Sequence, residues 1–346
     1  MAGRTVAAIG LGDVSFARAA ARNHDVADVV RRVHDALELA IDVIEVADEP
    51  DALRAVGDAV RATRARDRAV IVTTVRLPDV RDVRGLQAQV EASLRATKLD
   101  GLPLVQLAPR VAWLGLSAWA ELAGACERLV REGKVLAWGA VIDAGDVAIG
   151  EAPKPPPDPV FATTASGLFI PSASPEPVAA PAPKLAHPLA LAMFGSLAVD
   201  FSLCARDAAP VLAATQAVLA HRPLAGGALA GRLGPGAVLA RTDDRRDVDL
   251  DAIAIGAAKL ARFVKHAPPA AHAIDAARAI ADTATPVDHV ECTTLAELAL
   301  RWAIDRGALV VPRIVRREDL DEAIAAASAA PLSDWTTEQI TSTVME

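Results

Sequence analysis

Tyrosine is missing from this chain altogether. An enzyme that relies on a phenol as its proton donor is therefore excluded. Cysteine is scarce: Cys126, Cys204 and Cys292 are the whole complement. They are widely spaced and odd in number. With no CxxC or Cys/His ligand spacing they read as thiols in a reducing cytosol, and no metal site is expected. There is no dense block of Lys and Arg. The 36 basic residues are mixed with 44 acidic ones for a net charge of -8, which argues against a nucleic-acid partner. No uninterrupted apolar run reaches the roughly 20 residues a bilayer requires. No charged segment with an apolar stretch and cleavage site precedes the first strand-like run. These absences together lead us to expect a soluble, cytoplasmic protein without membrane or nucleic-acid contacts.

What the sequence does have is apolar substance. Hydrophobic residues make up 52% of 346, with a mean hydropathy of +0.28, ample for one barrel of the typical ~250 residues plus loops. Apolar runs of strand length fall at 5–9, 43–46, 69–75, 104–107 and 135–142. Stretches with helical spacing alternate with them at 27–39, 53–64, 87–97 and 120–132. The runs are continuous, not alternating, as in parallel strands buried on both faces. Gly10-Leu11-Gly12 reads as the turn ending the first strand. Residues 151–188 are rich in Pro, Ala and Ser, and proline denies both helix and central-strand hydrogen bonds. An irregular insertion outside the barrel wall is expected there. The alternation resumes with strands at 189–194, 216–220 and 308–311 and helices at 208–214, 252–264, 295–305 and 320–329; residues 224–251 read as a long loop. Eight strands in this order predict an α/β protein with a single (β/α)8 TIM barrel over residues 1–346. Periodicity alone also admits an open doubly wound sheet.

Seven stretches, in order, carry a resemblance. Gly10-Leu11-Gly12-Asp13-Val14-Ser15-Phe16 is similar to the GLGxxxFG opening of the aldo-keto reductase family. Residues 36–44 resemble its second helix-to-strand passage, 89–94 its helix before strand four, and 129–135 its junction into strand five. Pro223-Leu224-Ala225-Gly226-Gly227 with Gly231 resembles the segment after strand seven, and 243–246 the loop beyond it. Leu298-Ala299-Leu300-Arg301-Trp302, followed by Val310-Val311-Pro312, resembles the last helix–strand passage. The resemblance implies an aldo-keto-reductase-like barrel.

It also implies where chemistry would be found. The family works with an Asp, a Tyr, a Lys and a His around a bound carbonyl. Those positions fall here on Glu45, Pro50, Thr74 and Ala108. Only a carboxylate is kept. With Asp48 and Glu49 nearby, Glu45 reads either as a base in a closed pocket or as a remnant paired to arginine or solvent. The family's Ser-Asn after strand five falls on Val141-Ile142. Its nicotinamide-stacking Tyr falls on His221 and the following Ser on Arg222; His221 reads equally as a stacking residue and as an ordinary loop histidine. The Gly, Ser and basic residues that surround the adenosine phosphates of NADP fall in the stretch Pro312-Arg313-Ile314-Val315-Arg316-Arg317-Glu318-Asp319, and the late Asn on Ala323. Arg313, Arg316 and Arg317, with Arg222, either hold a phosphate or fill its cavity and pair with Glu318 and Asp319.

The reading that follows is a repurposed family member without standard carbonyl reductase activity, a pseudoenzyme that binds a protein partner or a small molecule. Two alternatives stand beside it: an NADP-dependent oxidoreductase with another proton donor, and a non-redox enzyme using Glu45 or Asp48 as base. For the fold, Glu45, Thr74 and Ala108 are expected near the C-terminal ends of strands two, three and four, with Pro50 in the loop after strand two.

Overall fold

A computed structural model of the chain describes residues 7–75, 83–108, 117–142, 162–163, 169–170, 194–214, 217–239, 241, 243, 245–246, 248–267, 274–283, 287 and 290–343. Its elements run β1 (Leu11–Val14), α1 (Phe16–Ala21), α2 (Val26–Glu38), β2 (Val43–Val46), α3 (Pro50–Ala62), β3 (Val70–Val75), α4 (Val83–Thr97), β4 (Leu104–Leu107), α5 (Ser117–Arg131) and β5 (Trp138–Ile142). A two-strand antiparallel pair follows, β6 (Ala162–Thr163) with β7 (Phe169–Ile170). The barrel resumes with β8 (Ser196–Asp200), α6 (Ala209–Ala214) and β9 (Val218–His221). Then come α7 (Leu250–Leu260), β10 (Val264–His266), α8 (Asp275–Thr283), β11 (Cys292–Thr294), α9 (Leu295–Asp305), β12 (Ala308–Val310), α10 (Arg317–Ser328) and α11 (Asp334–Ser342).

Eight strands form one parallel sheet in the order β1-β2-β3-β4-β5-β8-β9-β12. Parallel bridges from Ile9 to Val310 and from Gly12 to Arg313 join its two edges. The amide of Gly10 donates to the Val310 carbonyl at 2.8 Å and that of Gly12 to the Pro312 carbonyl at 2.9 Å. This is the (β/α)8 barrel that the sequence predicts. Gly12 is where strand meets strand most tightly: a Cβ there would stand 2.0 Å from the Val311 carbonyl oxygen. The residue expected to make a turn thus lies inside the wall, and the first strand is 11–14, not 5–9. The sixth barrel strand likewise falls at 196–200, just beyond the 189–194 expected; residues 189–193 lie outside the described residues.

Each strand divides two cores by its pleat. Inward residues Val43, Val70, Val72, Leu104, Ala198, Leu219, Leu309 and Val311 fill the lumen. Outward residues such as Val105, Leu107, Ala140 and Val199 meet the apolar stripes of the helices, including Val33 and Leu37 of α2 and Leu53 and Val56 of α3. Helix starts follow the local chemistry. The side chains of Asp25, Thr294 and Ser333 cap α2, α9 and α11. Pro50 was expected in a loop; it is instead the first residue of α3, where a missing N–H costs nothing and a fixed φ suits the helix. Helices α1, α8 and α11 and the small parallel pair β10–β11 go beyond the elements expected. The proline-rich 151–188, expected as an irregular insertion, lies outside the described residues except for the short pair β6–β7.

Candidate functional site

The same pleat that aims Val43 into the lumen aims Glu45 two residues later, at the C-terminal end where such barrels gather their chemistry. Register sets Glu45 beside Val72 and Thr74 beside Gln106, with Ala108 directly after β4. His221 ends β9 and lies level with Asp200, the last residue of β8. Around the ring β9 and β2 are separated by β12 and β1. Their side chains nonetheless meet across the mouth. His221 Nε2 stands 2.8 Å from Glu45 Oε1, an ion-pair contact in which the oxygen lies off the ring N–H direction. Side-chain exposure is 18% for His221 and 14% for Glu45, so water screens the pair weakly.

The charges at this mouth hold one another. Burial alone pushes the Glu45 carboxyl up, but the His221 charge, with a bond from the Asp13 amide, outweighs it and leaves the carboxyl below its ordinary range. Burial pushes the His221 imidazole down, and Glu45, then Asp200 and Asp13, reverse that and raise it. Both shifts favour an imidazolium facing a carboxylate. Asp13, at the end of β1, pairs with Arg18 and with Arg313, whose Nη1 is 3.3 Å from Oδ2. Its own carboxyl is raised, because burial exceeds what the two guanidinium groups return. Asp200 pairs with Arg222. Asp13 has φ +55° and Arg222 φ +46°, left-handed backbone that a non-glycine residue holds only where its surroundings demand it.

Beside the apolar lumen residues, Thr74, Gln106 and Ser196 add uncharged polar groups. The Thr74 hydroxyl donates to Gln106 Oε1 at 3.2 Å, where the family resemblance has a lysine. Gln106 Nε2 and Ser196 Oγ are buried without a hydrogen-bond partner among the described residues. They flank Gly139, where a Cβ would come within 2.5 Å of Ser196 Oγ and 3.3 Å of Gln106 Cγ.

Among the carboxylates near Glu45, Glu49 has a structural task. Its oxygens accept from Ser15 Oγ at 2.5 Å and from the amides of Phe16 and Ala17 at 2.8 and 3.1 Å, so it closes the start of α1. Asp48 is exposed, and the partial loss of its hydration raises its carboxyl.

The arginines expected at a phosphate do not converge. Arg313 turns inward to Asp13, and its burial lowers the guanidinium to about 10. Arg317 turns outward to Asp321 at 2.9 Å and lies 3.9 Å from Asp35. Arg222 is held by Asp200. The acids expected to pair with them were Glu318 and Asp319. Asp319 is instead taken by Arg232, at 2.7 Å, and by the Arg316 amide, at 3.0 Å. Ala323 is fully buried inside α10. Asp13, Asp200 and Arg232 were missed in the sequence. The first two carry the signal that singled out Glu45, a carboxylate at the C-terminal end of a barrel strand.

Among the described residues, no group of three or more His, Cys, Asp or Glu side chains is placed to hold a metal ion. Nor is any helix long and apolar enough to cross a membrane.

A closed parallel (β/α)8 wall with charged residues at its C-terminal mouth defines a TIM-barrel protein. The aldo/keto reductase family model matches residues 194–344 of the chain, and solved aldo-keto reductases share its fold throughout. An aldo/keto reductase from Klebsiella pneumoniae, solved with NADP and acetate, superposes with a TM-score of 0.56 at 23% identity, over 97% of this chain and 90% of that one. An aldo-keto reductase from Bacillus halodurans gives 0.56 at 15% identity, over 98% and 92%. Another, from a Medee basin deep-sea metagenome library, gives 0.58 at 16%, over 99% and 93%. No curated protein matches the chain.

Proposed function

We propose that this protein is an aldo-keto-reductase-like barrel without standard carbonyl reductase activity, acting by binding a protein partner or a small molecule in the cytoplasm. The observation that carries the reading is the Glu45–His221 contact across the mouth. A ring inserted between two side chains needs about 3.5 Å of clearance on each face, and 2.8 Å leaves none. The positions of the family's proton donor, cation and substrate-orienting histidine are a helix-starting Pro50, a Thr74 tied to Gln106, and Ala108. Each removes one role: the proton for a developing alkoxide, the charge that tunes the donor, and the hydrogen bond that orients a carbonyl.

A second reading draws support from the same pair. An imidazolium held by a carboxylate in a weakly solvated mouth is an acid–base couple, with His221 as the acid and Glu45 or Asp48 as the base. It suits a non-redox reaction, or a hydride transfer with His221 as the non-standard proton donor.

Titration with NADPH, followed by nicotinamide fluorescence and paired with turnover of generic aldehydes and ketones, separates these readings. Absence of turnover is the expected result. Turnover at ordinary reductase rates, in a preparation free of host reductases and lost in His221→Ala, would overturn the first reading in favour of the second.

A further inference from the structure

The groove beside β12 is closed from within, and the groups that close it are the chain's own acids and arginines. Asp319 lies in the first turn of α10, a helix of 12 residues. Its Oδ2 accepts from the Arg316 amide at 3.0 Å, so an internal carboxylate takes the place that a helix N-terminus offers to an external anion. Its Oδ1 accepts from Arg232 Nη2 at 2.7 Å and Nε at 3.1 Å, drawing the 224–232 turn against α10. Inside this clamp Arg313, 14% exposed, reaches Asp13, and its Nη2 is buried without a hydrogen-bond partner among the described residues. Over the top, Asp243 grips Arg245 through both oxygens at 2.9 and 2.6 Å. Arg245 Nη1 donates to the Gly226 carbonyl at 3.3 Å. Gly226, at φ +67°, has a backbone that a side chain would strain, and a Cβ there would stand 3.1 Å from Arg245 Cδ.

The cavity left between Leu224, Gly227, Arg232, Arg313 and Asp319 holds about 50 Å³, against the roughly 300–1,000 Å³ of a ligand pocket. The residues present therefore do not fit NADP, the cofactor that the family resemblance implies, at its phosphate-bearing end. We propose that Asp319 is a built-in anion. It occupies the α10 N-terminus and anchors Arg232 in place of a ligand phosphate, so that removing its charge converts the closed groove into a phosphate-binding one. The proposal stands apart from the loss of reductase chemistry, which rests on Pro50, Thr74 and Ala108.

The test is calorimetric titration of the full chain, wild type and Asp319→Asn, with inorganic phosphate and separately with NADPH. Asparagine keeps the capping oxygen and removes the charge that competes with phosphate for Arg232. The expected result is at least about a 10-fold gain in affinity for inorganic phosphate, with a smaller gain for NADPH because the Glu45–His221 contact stays in place. Wild-type chain that already binds both probes as tightly as the variant would overturn the proposal. Arg232→Ala gives an independent reading by hydrogen exchange. It breaks the clamp and leaves the cap, so faster exchange across residues 226–232 without any gain in phosphate affinity is expected; unchanged exchange would overturn the clamp. Failure of the function proposed above would appear as carbonyl turnover, and failure of this one as unchanged affinity or exchange.

Discussion

On β2, Val43 and Glu45 face the same lumen two residues apart; on β9 the same is true of Leu219 and His221. Within that short rise the barrel changes its means of cohesion. The floor is held by apolar packing, with Val70, Val72 and Leu104 almost wholly removed from water. The mouth is held by opposed charges drawn from β1, β2, β8, β9 and the segment after β12. Apolar packing tolerates any pH and penalises lost volume. A charge network tolerates changes of volume and penalises an unmatched partner. The two layers should therefore fail in different ways, and their variants should tell them apart.

The largest effect is expected at the mouth. His221→Ala leaves the Glu45 carboxylate buried opposite nothing, at a cost of about 3–5 kcal/mol, near the lower end because both side chains keep some exposure. Urea unfolding near neutral pH measures it. A loss under about 1 kcal/mol, the range of exposed pairs, would erase the contrast between the layers. On the floor, Leu104→Ala should cost about 3 kcal/mol through lost burial and the cavity left behind, by the same amount across about pH 5–8. A cost that varied with pH would show the floor to be coupled to the mouth.

A subtler effect lies in the pH profile of the pair. His221 is raised in the folded state, so its contribution is full below its ordinary 6.5 and is lost as pH rises through the raised value. Glu45 is lowered, so its contribution is full above its ordinary 4.5 and is lost as pH falls through the lowered value. The stability difference between wild type and the double variant Glu45→Gln/His221→Gln should form a plateau between 4.5 and 6.5, falling on both sides. A difference that is flat from acid to alkaline pH would mean that the two groups are not ionised together. The smallest effect is a control: Asp51→Ala removes an exposed i,i+3 partner of Arg54 and should change stability by no more than about 0.5 kcal/mol.

Much of the wall was legible in the sequence. Strands β2, β3 and β4 are continuous apolar runs bounded by amphipathic stretches, and a doubly buried parallel strand has no other way to look. β1 misled because two glycines beside a leucine resemble a turn, whereas Gly12 is required by the approach of Val311. Pro50 misled in the opposite sense, since proline breaks helices from inside and starts them at the first position. α1 and α11 are short, and their packing is set by distant partners: Glu49 for the first, and for the second Arg206, whose guanidinium donates to carbonyls at its C-terminal end. In the site, the positions Glu45, Thr74 and Ala108 followed from the family resemblance. The meeting of Glu45 with His221 did not, because no spacing along the chain encodes a contact across a ring. The capture of Asp319 by Arg232 was hidden for the same reason, since they stand 87 positions apart.

The closure of the ring sets a schedule for the chain as it is made. Ile9 and Gly12 complete the wall only against Val310 and Arg313, and the Arg313 pairing with Asp13 joins groups 300 positions apart. Synthesis runs from the N-terminus, so β1 must wait beside β2 with one open edge until β12, near position 310, has been made. During that interval the Asp13 carboxylate has Arg18 but lacks its second guanidinium, and the edge it sits on is a surface to which a chaperone or another strand can add. The last strand to arrive both seals that edge and completes the neutralisation of the mouth.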